Sequence, residues 1–106
     1  MTAVIERNAI FDTDFATEPY EVAWAREARW FFLPTEPKTT TARMAVMTEV
    51  SPDGLHWCPL DVDEIHLGSV AMTTWASREF GGWLRLRGTV LEPGPVRGSI
   101  YLVLKA

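Results

Sequence analysis

Few residues of this sequence could carry a covalent reaction. The chain has one cysteine, Cys58, and two histidines, His56 and His66, and a nucleophilic site needs a thiol or hydroxyl beside a positioned base. His56 and Cys58 are two positions apart on a predicted strand, so they share a face with Cα atoms roughly 6.6 Å apart. Cys58 lies between Trp57 and Pro59, where a buried, unreactive cysteine is the common outcome. The sequence therefore predicts no catalytic residue and no enzyme activity.

A short acidic segment is the main candidate for metal binding, with Asp61, Asp63, Glu64 and His66 inside six residues. Oxygen ligands of this kind suit calcium, but the glycine-centred twelve-residue spacing of an EF-hand is missing. Zinc would need more nitrogen or sulfur ligands. We interpret the segment as a solvated turn, with metal binding as the alternative. The glycine pair at residues 81–82 precedes a strand, whereas phosphate-binding loops open a helix, so we predict no cofactor.

Aromatic residues are abundant, with five tryptophans, five phenylalanines and two tyrosines. In residues 83–90 a tryptophan and two arginines alternate with leucines, so they share the face opposite the leucines. Tryptophan and arginine are enriched in binding hot spots; the alternative is that the aromatics cap the sandwich edge or fill the core through a shifted register. The predicted binding surface is Trp57, Trp83, Arg85 and Arg87. Its arginines suit carboxylates, for which the acidic N-terminal third is a candidate source, within one subunit or from a neighbour.

The net charge of −4 is unevenly distributed. Residues 1–36 hold seven acids and three bases, while residues 37–106 hold seven of each. An acidic chain lacks the basic footprint that binding to nucleic acid or to an anionic membrane requires, so we predict neither partner. We interpret the N-terminal acids as a solvated arm or outer strand, with an acidic docking surface as the alternative.

Apolar residues alternate with period two in residues 42–50, 83–90 and 100–105, which predicts β-strands there. These strands would position the residues of the predicted binding surface. The predicted core consists of Met44, Val46, Leu84, Leu86, Ile100, Leu102 and Leu104. Residues 51–54 read Ser-Pro-Asp-Gly, which predicts a hairpin with Gly54 in the left-handed region before a strand at residues 55–60. Further turns are predicted at residues 34–38, 81–82 and 93–95, and a strand start at residues 39–41.

Two other segments have weaker patterns. In residues 20–28 a strand is favoured, with a helical turn as the alternative. Residues 61–68 are expected to form a loop, followed by a strand at residues 69–75. At 106 residues the chain has the length of one domain. We predict an all-β fold, a jelly-roll-like antiparallel β-sandwich of seven or eight strands over residues 19–106, after a polar N-terminal arm of residues 1–18.

The hairpin and the later strands together resemble discoidin-like β-sandwiches and the small jelly-roll sandwiches of phage virion and tail-associated proteins. The matching residues are Ser51, Asp53, Gly54, Trp57, Trp83, Leu84, Arg85, Leu86 and Arg87, within residues 39–106. The chain is shorter than discoidin-type carbohydrate binders and lacks their disulfide. The resemblance implies a fold and a tendency towards binding or assembly, and it implies no catalytic residue.

The expected function is accordingly a non-enzymatic structural or assembly module acting through protein contacts or self-association, of the virion accessory or decoration type. A carbohydrate-binding or other ligand-binding module is the alternative. With one cysteine there is no intrachain disulfide, and the first residues lack the basic and apolar regions of a signal peptide. We therefore expect cytoplasmic synthesis, followed by incorporation in a virion or another large assembly.

Overall fold

The computed structural model describes residues 1–35, 42–91 and 95–106. Their regular structure is entirely β, in ten strands. Among these residues there is no helix long and apolar enough to cross a membrane. The strands are β1 (Thr2–Phe11), β2 (Phe15–Ala16), β3 (Tyr20–Glu21), β4 (Glu27–Pro34), β5 (Arg43–Ser51), β6 (Cys58–Pro59), β7 (Ile65–Gly68), β8 (Thr73–Ser77), β9 (Trp83–Val90) and β10 (Val96–Lys105).

The strands form two antiparallel sheets. Sheet A has the order β1-β10-β4-β8, and sheet B has the order β2-β9-β5-β6, with β3 also on β9 and β7 also on β5. The predicted antiparallel sandwich is therefore confirmed. It has ten strands instead of seven or eight because β2, β3 and β6 are only two residues long, too short to show a period in the sequence.

The core lies between the inner faces of the two sheets. All seven predicted core residues are fully buried, which confirms that period-two alternation marks the inward side of β5, β9 and β10. Trp30 and Trp75 also lie in the core, with ring planes 13° apart and centroids at 6.2 Å. Their indole N–H groups donate to Ser77 Oγ at 3.0 Å and to Thr48 Oγ1 at 3.2 Å, so neither buried donor lacks an acceptor.

The N-terminal segment differs from the predicted arm. Residues 2–11 form β1, which pairs with β10 along the edge of sheet A. The register shifts twice along this pairing, and Asn8 has a φ of 47°. These irregularities break the period-two alternation that marks the other long strands. The segment therefore has no regular alternation in sequence although it belongs to the sandwich.

Other elements also differ from the predictions. Residues 20–28 form neither a continuous strand nor a helix, because β3 ends at Glu21 and a turn at Ala23 and Trp24 precedes β4. Residues 61–68 contain β7 rather than only a loop, and the following strand begins at Thr73. Between residues 55 and 60 only Cys58 and Pro59 are in a strand. Most of the turns predicted at residues 34–38 and 93–95, and residues 39–41, lie outside the described residues.

Candidate contact surface

The residues predicted to form the binding surface lie on the outer face of sheet B. Along β9 the buried residues Leu84 and Leu86 face the core, so Trp83, Arg85 and Arg87 face outward. Across the sheet, Arg85 lies opposite Glu49 on β5. Trp57 comes from the loop between β5 and β6, and its ring lies 4.3 Å from the Arg85 guanidinium carbon. The structure thus brings Trp57 and Arg85 into contact.

The carboxylate partner of Arg85 belongs to the neighbouring strand. Arg85 Nε donates to Glu49 Oε1 at 2.7 Å, and the two side chains are only 19% and 10% exposed. The guanidinium therefore has an ion pair along its edge and an aromatic ring at its face. For Arg85, the expectation of a carboxylate from the N-terminal third is wrong, because the cross-strand position directly opposite supplies one. Arg87 is exposed two residues further along the same face.

The loop after β5 is folded onto Trp83. Gly54 has a φ of 79°, which confirms the predicted left-handed conformation. A Cβ at this position would lie 3.3 Å from the Trp83 ring, so the bare glycine backbone packs against the indole. Ser51 Oγ accepts hydrogen bonds from the N–H groups of Gly54 at 2.8 Å and Asp53 at 3.2 Å. Trp83 of β9 is therefore half-buried beneath the loop that follows β5.

Asp53 organises the rest of this loop. Its carboxylate accepts the backbone N–H groups of His56 at 2.9 Å and Leu55 at 2.8 Å, and the His56 ring nitrogen Nδ1 lies 2.6 Å from it. The backbone N–H of His56, then its ring, then the backbone N–H of Leu55 hold the pKa of Asp53 well below its usual range. The His56 imidazole therefore contacts Asp53, and the structure gives it a role in the turn.

The remaining sites considered from the sequence are placed as follows. Cys58 is exposed rather than buried, because β6 is a two-residue strand at the end of sheet B, and its thiol contacts the carbonyl of Val50 at 3.9 Å. Asp61 accepts the backbone N–H of Thr48 at 2.8 Å, so it supports β5. No group of three or more His, Cys, Asp or Glu side chains suited to a metal occurs within residues 1–35, 42–91 and 95–106.

The outer face of sheet A carries exposed apolar side chains, and its residues were not predicted to form a surface from the sequence. Register places Val4, Tyr101 and Phe31 side by side on β1, β10 and β4. Val4 is 43% exposed and Leu33 is 39% exposed. Antiparallel sheets usually turn polar residues to solvent, and this face departs from that pattern. We call it the sheet A face; its apolar and aromatic members are Val4, Ile10, Phe31, Leu33, Tyr101 and Val103.

A basic cleft of about 290 Å³ adjoins the sheet A face where β4, β8 and β10 meet. Four of the ten Lys and Arg residues line it, beside the single acid Glu27. We call it the basic cleft; its cations are Arg26, Arg29, Arg78 and Lys105. The backbone N–H of Arg26 donates to the Lys105 carbonyl at 2.8 Å, and Arg29 Nη1 donates to Thr74 Oγ1 at 3.1 Å. Neither ion pair found in the described part of the chain involves these four cations.

Comparison with known proteins identifies the fold. No protein-family model and no curated protein matches the chain. The PBSX exported protein XepA superposes with a TM-score of 0.74 at 9% identity; the match covers 100% of this chain and 37% of XepA, so the chain spans little more than a third of that protein's length. A protein of Bacillus endospore appendages, described as a family of disulfide-linked pili, gives a TM-score of 0.57 at 11% identity and covers 100% of this chain and 87% of its own. A carbohydrate-binding domain, TmCBM61 with bound galactotriose, gives only 0.44 at 12% identity, over 92% of this chain and 69% of its own, and supports no inference. At these identities the likeness establishes one thing about the chain: it has the β-sandwich fold that XepA and the appendage protein also contain.

Proposed function

We propose that this chain is a non-enzymatic assembly module that associates with further copies of itself through the sheet A face. The observation that carries the proposal is the row Val4, Tyr101 and Phe31, which leaves apolar side chains open to solvent on the outside of a finished sandwich. The largest exposed apolar patch on a folded domain is often a site of contact with a partner.

The dimensions of the face set the strength of the contact. Its members come from three strands, and three strands about 4.8 Å apart with eight residues at about 3.3 Å each span roughly 400 Å². A standard interface buries about 800 Å² on each partner, so this face supplies about half of that. We therefore expect weak association that depends on concentration, in which many copies are needed for a lasting structure.

The setting that we propose is a multi-copy assembly such as a virion or a surface appendage. The appendage protein supports this setting, because there a sandwich of similar size belongs to a pilus.

A carbohydrate-binding role remains the alternative outcome of the test. Such a role would use exposed tryptophan rings to stack on sugars. One face of Trp57, however, is against Arg85, and Trp83 packs against Gly54. Trp30 and Trp75 are buried. Of the five tryptophans, Trp24 is the most open at 45% exposure, and it lies alone in a turn. A row of stacking rings, which would favour sugar binding, is not formed among the described residues.

The experiment compares two leucines by sedimentation velocity over a range of protein concentrations. Leu33→Gln changes the sheet A face, and Leu55→Gln changes a leucine that is 78% exposed in the hairpin loop. We expect Leu33→Gln to weaken association and Leu55→Gln to leave it unchanged. Equal association by the two variants would contradict the use of this face. Binding of a neutral glycan by a monomeric wild type would favour the alternative.

A further inference from the structure

The negative charges of the chain are gathered in one exposed segment. Residues 8–25 contain no Lys or Arg, while Asp12, Asp14, Glu18 and Glu21 all lie within residues 12–21 and are exposed. Glu21 accepts the backbone N–H of Ala23 at 2.8 Å. In the described part of the chain the other three carboxylates have no hydrogen bond or ion pair. We call residues 12–21 the acidic segment.

The acidic segment and the basic cleft lie on different layers of the sandwich. β2 and β3, which belong to the segment, pair with β9 at the edge of sheet B. The basic cleft is formed on sheet A by β4, β8, β10 and the residues that flank them. No ion pair joins the two regions within residues 1–35, 42–91 and 95–106. One chain therefore presents two complementary charged surfaces without using either to satisfy the other.

We infer that the basic cleft receives the acidic segment of a second copy, which makes the association head-to-tail. This inference rests on the proposed function, self-association through sheet A, and names the partner surface. Arginine guanidinium groups bind carboxylates in a planar, two-pronged geometry, and three of the four cleft cations are arginines. Phe31 and Val103 line the same cleft and provide apolar contact for the stems of the incoming side chains.

The chemistry of the cleft favours this occupant over a symmetric contact of two clefts. A two-fold contact in which the two clefts meet would bring the cations of both copies towards each other, which costs energy unless another anion intervenes. A contact between two different surfaces leaves one of each free at the ends, so it extends into a ring or a filament. The volume of about 290 Å³ is at the lower end for small-molecule pockets and suits one or two side chains.

Two charge-reversed variants test the inference. The cleft variant, Arg78→Glu with Lys105→Glu, keeps the acidic segment. The segment variant, Asp14→Lys with Glu18→Lys, keeps the cleft. A control, Val62→Glu with Val70→Glu, lowers the net charge by two at exposed positions outside the cleft and the acidic segment, as much as replacing Arg78 and Lys105 by Gln does. Circular dichroism confirms folding, and the neutral pairs Arg78→Gln with Lys105→Gln and Asp14→Asn with Glu18→Asn replace any variant that fails to fold.

Sedimentation velocity at low ionic strength then measures each protein alone and in mixtures. We expect the cleft and segment variants to raise the dissociation constant of self-association by at least about tenfold, and the control to change it little. An equimolar mixture of the cleft and segment variants should associate again, because the intact acidic segment of one fits the intact cleft of the other and the two reversed surfaces are also complementary.

Three results would overturn the inference. If the wild type associates and both charge variants associate equally well, the head-to-tail contact is wrong while the proposed function stands. The same holds if both variants lose association but their mixture forms no dimer. If the wild type stays monomeric and binds heparin through the cleft, the occupant is a foreign polyanion, and the proposed self-association is wrong as well.

Discussion

Replacing Arg85 with methionine should destabilise the fold far more than the same replacement at Arg87. Both arginines lie on the outward side of β9, two residues apart, so the substitutions match in chemistry, strand and face. Arg85 has the Glu49 ion pair at 2.7 Å and the Trp57 ring at 4.3 Å. Arg87 is exposed.

The magnitude follows from the burial of the pair. With side chains 19% and 10% exposed, Arg85 and Glu49 lie between a surface ion pair and a fully buried one. Surface pairs contribute about 0–1 kcal/mol, and breaking a buried pair costs about 3–5 kcal/mol. We therefore expect Arg85→Met to lower the free energy of unfolding by about 1–3 kcal/mol. Arg87→Met should change it by less than about 0.5 kcal/mol.

Urea unfolding, followed by tryptophan fluorescence, measures both free energies. A loss of 1 kcal/mol corresponds to a fall in Tm of about 4–8 °C for a domain near this size, so thermal unfolding gives a second reading. Glu49→Gln should have an effect of similar size, and the double variant should lose less than the sum of the single losses. If Arg85→Met and Arg87→Met are equally stable, the Arg85 contacts do not hold the hairpin loop to sheet B.

Three further stability predictions concern the turns and the core. Gly82→Ala should lower the free energy of unfolding by at least about 1 kcal/mol, because Gly82 has a φ of 77° and an added Cβ would clash with the Ser51 carbonyl oxygen. Gly68→Ala adds a Cβ in open space, so it should cost less in the same urea titration. Leu86→Ala should cost about 2–5 kcal/mol, and an unchanged denaturation midpoint would contradict its place in the core. The pKa of Asp53 is lower in the folded protein than in the unfolded chain, so its ionised carboxylate stabilises the fold above about pH 4, the pKa of an unperturbed aspartate. This stabilisation is lost as the pH falls towards the lower pKa of the folded state. Asp53→Asn should therefore be less stable than wild type at pH 6, with the difference shrinking at pH 3; a constant difference would show that the carboxylate does not titrate as described.

The sequence was informative wherever one strand kept a strict alternation. The alternation of apolar residues correctly predicted which side of β5, β9 and β10 faces the core, because successive side chains of a regular strand point to opposite faces. The Ser51–Gly54 turn was also predictable, since few residues other than glycine adopt a positive φ without cost. Both signals are local, so neighbouring residues in the sequence are enough to detect them.

The surfaces were harder to predict because cross-strand register brings their members together. Glu49 lies 36 positions from Arg85 in the chain, and Val4, Phe31 and Tyr101 come from three strands. The basic cleft gathers cations from β4, from β10 and from the residues just before β4 and just after β8, whereas the sequence suggested only a balanced charge over residues 37–106. The register shifts of β1 interrupt its alternation, so this edge strand was predicted as an arm.

Self-association through complementary surfaces should be visible in the molar mass of the wild-type protein in solution. Light scattering coupled to size exclusion gives this mass across protein concentration at low and high salt. We expect a mass above the monomer value of 12.0 kDa that rises with concentration at low salt and falls as salt screens the exposed charges. A constant mass of 12.0 kDa at every concentration and salt level would contradict it.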